Sequence, residues 1–304
     1  MRFLGRKKFW WLAISALIMI PGIISLFVYK LPLGIDFKGG ALLQIQFSKP
    51  VSEDALRGEL AKIQEAKGAT VSNAGKSNEF FVKTLPISEA DHRKITDSLK
   101  KDFGNLNEEA FQSVGPSVSA ELARKAIIAL VAASLAIILY LAYAFRQVAK
   151  PVSSWTFGTV AVAALIHDLV ISVGVFSIVA HFLHYEVDSS FITALLTIMG
   201  FSVHDTIVVF DRIRENLLKN RVNSAEEFEA LADQSLSETL NRSLSTSLTV
   251  IVTLTALVVL GGESIRPFVT TLLIGITIGT YSSIFTATPL LALWQTRLFR
   301  RNRS

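Results

Sequence analysis

Four ionisable side chains stand inside otherwise apolar stretches of this 304-residue chain: His167 and Asp168 in one, His204 and Asp205 in another. A charge in hydrocarbon costs at least about 2.5–3.5 kcal/mol on insertion scales, so each marks a functional site by default. Helix neighbours point about 100° apart, so neither His-Asp pair converges on one point. One member of each pair is expected to face the bundle interior, and the other a neighbouring helix or a polar cavity. Ser202 and Thr206 flank Asp205 and give it a polar stripe. The alternative, that such groups only hydrogen-bond helices together, stays open for His167 and His204. It suits Asp205 less, because a carboxylate is a costly choice for packing alone. Arg242, beside Asn241, Ser243, Ser245 and Ser247, begins a later apolar stretch and can reach Asp205 from the same side. A neighbouring cation and burial act on a carboxylate in opposite senses, a balance that suits a proton relay. Alone, Arg242 reads better as an interfacial cation obeying the positive-inside rule.

These residues need long helices to hold them. The chain is 51% hydrophobic and 18% charged, with a mean hydropathy of +0.46. Much of the charge falls between residues 30 and 125, leaving uncharged runs of the roughly 20 residues that cross a bilayer. A purely soluble protein and a disordered one are both excluded. With no Cys there is no disulfide framework, thiolate metal site or cysteine nucleophile. Six spans are predicted, at 9–29, 123–145 (apolar from Ala126), 153–183, 189–210, 243–261 and 267–294. The first follows a basic start but is too long for a signal peptide and ends at Lys30 and Pro32, so an uncleaved anchor is expected. Aromatics such as Phe9, Trp10, Trp11, Trp155 and Trp294 suit the interfaces.

Lys and Arg set the orientation. One side carries Arg2, Arg6, Lys7 and Lys8; Arg146 and Lys150; Arg212, Arg214, Lys219, Arg221 and Arg242; then Arg297, Arg300, Arg301 and Arg303. The short loops opposite hold none, with Arg266 just beyond as the exception. Residues 1–8, 211–242 and 295–304 are therefore expected in the cytoplasm and 30–122 outside. Basic residues so placed explain the net charge of +5 without nucleic acid.

The outer segment reads β-α-β-β-α-β: a strand at Ala41–Phe47, a helix capped by Ser52, a hairpin of 70–73 and 79–84, a helix capped by Ser88, and a strand at 110–114. That order is the ferredoxin-like split βαβ arrangement, so the expected class is a six-span α-helical membrane protein with one small α+β domain. Gly34-Ile35-Asp36-Phe37-Lys38-Gly39-Gly40 is the densest turn signal; it lacks the G-K-[ST] order of a phosphate loop and reads as a tight turn fixing the domain on the membrane. Ser224 and Glu227 form a capping box before a short amphipathic helix with Phe228, Leu231, Leu236 and Leu240, lying on the membrane surface, against a partner, or solvated as a connector. Gly275 and Gly279 allow close helix approach, and Pro21 and Pro289 can kink their spans.

Three segments, GIDFKGG at 34–40, VGPSVSA at 114–120 and FSVHDTIVVFDRIREN at 201–216, resemble the SecF family, the smaller membrane subunits of the SecD–SecF accessory complex of bacterial protein export, within the RND superfamily. The resemblance spans nearly the whole chain. It implies pairing with SecD, work beside the SecYEG channel with YajC, and use of the proton-motive force to draw emerging unfolded polypeptides outward across the inner membrane. It also implies that the chain is no enzyme and needs no cofactor. The family's acid in the fourth span falls on Asp205 and its arginine in the fifth on Arg242. Many members carry Asn at the position of His204, and Asp168 matches no family proton site. Rival readings are an RND-type exporter of small molecules or lipids, which usually has two six-span halves in one chain, and a non-conducting assembly scaffold. An intramembrane hydrolase using His-Asp metal ligands or Ser202 lacks H-E-x-x-H and G-x-S-x-G.

Overall fold

A computed structural model describes residues 4, 5, 7–75, 77–146, 152–220 and 222–301. Of the basic residues named above, Arg2, Arg6, Lys150, Arg221 and Arg303 lie outside the described residues, as does Lys76 of the predicted turn, and the side chains of Arg300 and Arg301 are not described. The chain forms two compact units.

The smaller unit, Leu33–Ile128 with Glu186–Ser189, opens on a helical turn α2 (Ile35–Lys38) and strand β1 (Gly40–Phe47). Helix α3 (Glu53–Leu60), strands β2 (Thr70–Asn73) and β3 (Glu79–Thr84), helix α4 (Glu89–Phe103) and strand β4 (Leu106–Val114) follow. The hydroxyls of Ser52 and Ser88 accept the N–H groups of Ala55 and Asp91, each at 3.2 Å, as a cap must. The sheet is antiparallel throughout in the order β2-β3-β1-β4, the split βαβ topology. Leu43 and Ile45 of β1, Leu56 and Leu60 of α3, and Ile95 and Leu99 of α4 are buried together. Strand β4 begins four residues ahead of the predicted 110–114. Asn107-Glu108-Glu109 has no apolar alternation to betray it, because this is an edge strand, mostly exposed, with a register shift at Gln44/Ile45.

The larger unit holds α1 (Lys7–Val28), α5 (Pro116–Ala144) from Ala129 on, α6 (Ser154–Leu183), α7 (Ser189–Lys219) from Ser190 on and α8 (Ala225–Leu260), each helix long and apolar enough to cross a membrane. The sixth such stretch, Glu263–Phe299, contains α9 (Arg266–Ser282), a π-helical turn Ser283–Ala287 and the start of α10 (Thr288–Arg301). Pro289 has no N–H to donate and its ring crowds the carbonyl one turn back. The turn beside it widens, and Thr288 donates its hydroxyl to the Ser283 carbonyl at 2.9 Å. Helix α1 crosses α6 at Gly22 and Gly174, where a Cβ on Gly174 would stand 2.5 Å from the Gly22 Cα. The Gly275 and Gly279 face of α9 lies on α7, with a Cβ on Gly279 only 3.2 Å from that of Ser202.

The amphipathic stretch after Ser224 is not a separate surface helix. It is continuous with the fifth span as one 36-residue helix. Its Phe228, Leu231 and Leu236 are buried with Leu4, Ile213 and Leu217, so burial within the chain replaces the membrane or partner contact that the apolar face called for. Lys8 pairs with Glu229, and the N–H of Leu4 donates to Asp233 at 3.1 Å. Arg212 holds Glu238 at 2.5 Å. Hydrogen bonds from Gln234 and Asn216, together with Arg212, hold the Glu238 carboxyl at about 2, well below the usual carboxylate range.

Candidate functional site: two buried carboxylates in the helix bundle

Asp168 is fully buried on α6. Its Oδ2 accepts the hydroxyl of Ser202 on α7 at 2.5 Å and that of Ser282 on α9 at 2.6 Å. Its Oδ1 lies 2.9 Å from His167 Nδ1. Two O–H donors at those lengths, from two other helices, converge on one carboxylate oxygen, with an imidazole nitrogen beside the other. Three helices meet on this one side chain, directly before the π-helical turn of the last span. Such turns recur at functional sites. His167 Nε2 is buried with no hydrogen-bond partner among the described residues, so the ring holds a spare nitrogen beside the carboxylate.

Asp205 has a different environment. It is 2% exposed on α7, and among the described residues its Oδ2 accepts one hydrogen bond, from Ser247 on α8, at 3.3 Å. A carboxylate offers about four lone-pair sites, so among the described residues most of the acceptor capacity of Asp205 is unused, whereas Asp168 is engaged by hydroxyls from two other helices. Ser202 sits three residues before Asp205, about 60° away on the helix, so α7 presents neighbouring faces to the two acids. Thr206 is buried beside Asp205, and His204 is exposed. Along α8, buried hydroxyls at Thr239, Ser243 and Ser247 recur every four residues, and Ser243 Oγ has no hydrogen-bond partner among the described residues.

Arg242 does not join Asp205. It is exposed, five residues before Ser247 and therefore about 140° around α8 from the face that meets the acid. The spacing of the two residues along their own spans put them at a common depth; the rotation of α8 sets them apart. The Ser202 and Ser282 contacts to Asp168 lie beyond what a single sequence reveals, since they depend on the relative rotation of three helices. The one available signal was a lone buried acid in the third span.

The glycine segment belongs to the smaller unit. Gly39 and Gly40 adopt φ of +77° and +145°, values L side chains rarely take, and a Cβ on Gly40 would stand 2.9 Å from the Thr84 carbonyl oxygen. Glycine is needed there so that the chain can turn from α2 into the sheet. Asp36 and Phe37 are half-buried on α2.

Comparison with known proteins agrees with this architecture. Residues 94–297 match the family model "Protein export membrane protein SecD/SecF, C-terminal", and residues 24–51 match the "SecD/SecF GG Motif". The protein translocase subunit SecF of Thermobaculum terrenum is 44% identical over 97% of this chain and 96% of its own length. That of Anaerolinea thermophila is 38% identical over 97% and 94%. Among solved structures, SecDF of Thermus thermophilus, a translocon-associated membrane protein, superposes with a TM-score of 0.79 at 32% identity. It is matched over 94% of this chain, which spans 37% of that longer one. A six-span bundle, a split βαβ domain after the first span, and full-length similarity to these subunits lead to one conclusion: this chain belongs to the SecF family of membrane proteins.

Proposed function

We propose that this chain is the SecF-type subunit of a bacterial export machine, acting with a SecD-type partner beside a SecYEG channel and with YajC. In this reading it lies in the inner membrane with both termini cytoplasmic. The pair uses the proton-motive force to draw emerging unfolded polypeptides outward in the late steps of export. One observation supports the reading at the level of residues: among the described residues, Asp205 is a buried carboxylate held by a single long hydrogen bond to another helix. A proton arriving from outside neutralises it and loosens Ser247; its departure inward restores the charge and the contact. The buried hydroxyls of Ser247, Ser243 and Thr239 lead along α8 toward the cytoplasmic end and offer a route for that departure. One charge crossing 100 mV releases about 2.3 kcal/mol, enough to bias a two-state helix arrangement nearly fiftyfold. Arg242, exposed on the far side of α8, has no direct part in this step.

The test is gradient-driven export in inverted membrane vesicles containing the whole complex, with Asp205→Asn against wild type. Normal assembly with loss of the gradient response supports the reading. An undiminished response leaves the chain as an assembly scaffold and removes Asp205 from the mechanism.

A further inference from the structure

The Gly34–Gly40 segment binds no proton in this account, and a turn into β1 needs only its last two glycines. The rest of it is explained by a distant piece of chain. Glu186–Ser189, from the loop between α6 and α7, belongs to the smaller unit. Leu33 and Val187 form a parallel bridge, and the Gly34 N–H donates to the Val187 carbonyl at 2.8 Å. Val187 is 3% exposed. A Cβ on Gly34 would stand 3.2 Å from that same carbonyl oxygen, so glycine permits the approach. Lys83 of β3 pairs with Glu186 at 2.8 Å. Finally, Asp36 Oδ2 accepts both the N–H of Ser189, at 2.8 Å, and its hydroxyl, at 2.5 Å.

Ser189 is the first residue of α7, the helix that carries Asp205. The leading N–H groups of a helix have no intrahelical partner. A carboxylate satisfies one of them and also meets the positive end of the helix dipole. The chain passes between the two units at 32/33, 128/129, 185/186 and 189/190. Two of these crossings follow from inserting a domain between the first two spans; the other two exist because the α6–α7 loop is part of the domain.

We propose that Asp36 is a positioning residue: with Val187 docked on Gly34, it caps Ser189, the first residue of α7, making the glycine segment a clasp that holds the α6–α7 loop within the smaller unit. The clasp stays closed through the working cycle. What it transmits rests on the Asp205 reading above; that it holds α7 does not.

The chain contains no Cys, which makes the clasp directly testable in the full chain with its partner. Removing an N-terminal cap shifts local opening by about fivefold, so Asp36→Ala is expected to speed amide hydrogen exchange at Ser189 and the next two residues by about that factor. Asp36→Asn, which still accepts a hydrogen bond, is expected to recover most of the protection. In vesicles, Asp36→Cys with Ser189→Cys is expected to export poorly when reduced and to regain wild-type gradient-driven export when oxidised, with wild type as the control for the oxidant. Unchanged exchange in Asp36→Ala, or failure of the two cysteines to join, overturns the contact. Faster exchange with undisturbed export overturns its role, and loss of export on oxidation overturns the closed clasp. Exchange reads the clasp without reference to protons, so failure of the Asp205→Asn test is distinguishable from failure here.

Discussion

The donor set at Asp168 yields a magnitude that a double-mutant cycle can read. Ser202 and Ser282 reach the same carboxylate oxygen from two other helices, at 2.5 and 2.6 Å, inside a site with no exposure to solvent. A hydrogen bond to a charged group contributes about 1.5–3 kcal/mol, whereas neutral interhelical hydrogen bonds within membranes average about 0.6 kcal/mol. Hydroxyls this short on one buried carboxyl oxygen predict a Ser202–Asp168 coupling above that membrane average, about 1.5 kcal/mol or more. The perturbations are Ser202→Ala and Asp168→Ala, alone and together, and the assay is reversible denaturant unfolding of the full chain in mixed micelles. Asp168→Asn, whose amide oxygen can still accept both hydroxyls, is expected to lose less than Asp168→Ala. Because the two serines share an acceptor atom, their joint removal is expected to fall short of the sum of the singles. A coupling of about 0.6 kcal/mol or less refutes the reasoning that separates the hydrogen-bonded Asp168 site from that of Asp205.

Other positions carry their own tests. Gly174→Ala forces a Cβ to within 2.5 Å of the Gly22 backbone and is expected to cost about 1–3 kcal/mol; Gly200→Ala, with nothing within 4 Å, is the control, and equal thermal shifts contradict the close crossing. Ile45→Ala empties a fully buried site of the small domain and is expected to cost about 2–5 kcal/mol, read as faster proteolysis between residues 40 and 114. Glu238 is held at about 2 in the folded chain, so its contribution is complete above about pH 4.5 and is lost as pH falls toward 2. Its carboxyl is partly exposed, so the effect is at most about 1 kcal/mol. Wild type should lose more stability than Glu238→Gln across that interval, and parallel pH profiles would count against the shift.

Much of the fold could be read before the structure because its signals are local. Six apolar runs, the caps at Ser52 and Ser88, and the β-α-β-β-α-β order each depend on residues a few positions apart. What stayed hidden depends on how distant elements rotate and meet. Gly22 and Gly174 are single glycines on different helices, so no G-x-x-x-G spacing marks their crossing. Arg242 and Asp205 share a depth but not a face. The helix after Ser224 has an apolar stripe whichever partner covers it, and only the packed chain identifies Leu4, α7 and Phe299 of α10 as that cover. Asp36 reads as a turn residue until Ser189 is found beside it.

The measurement that bears most directly on the whole account is the gradient response of export in inverted vesicles carrying Asp205→Asn in an otherwise intact complex. The account predicts normal assembly, retained gradient-independent transport and no stimulation when the proton gradient is imposed. Stimulation equal to wild type would contradict it, because a buried carboxylate with one long hydrogen bond would then have no proton to carry.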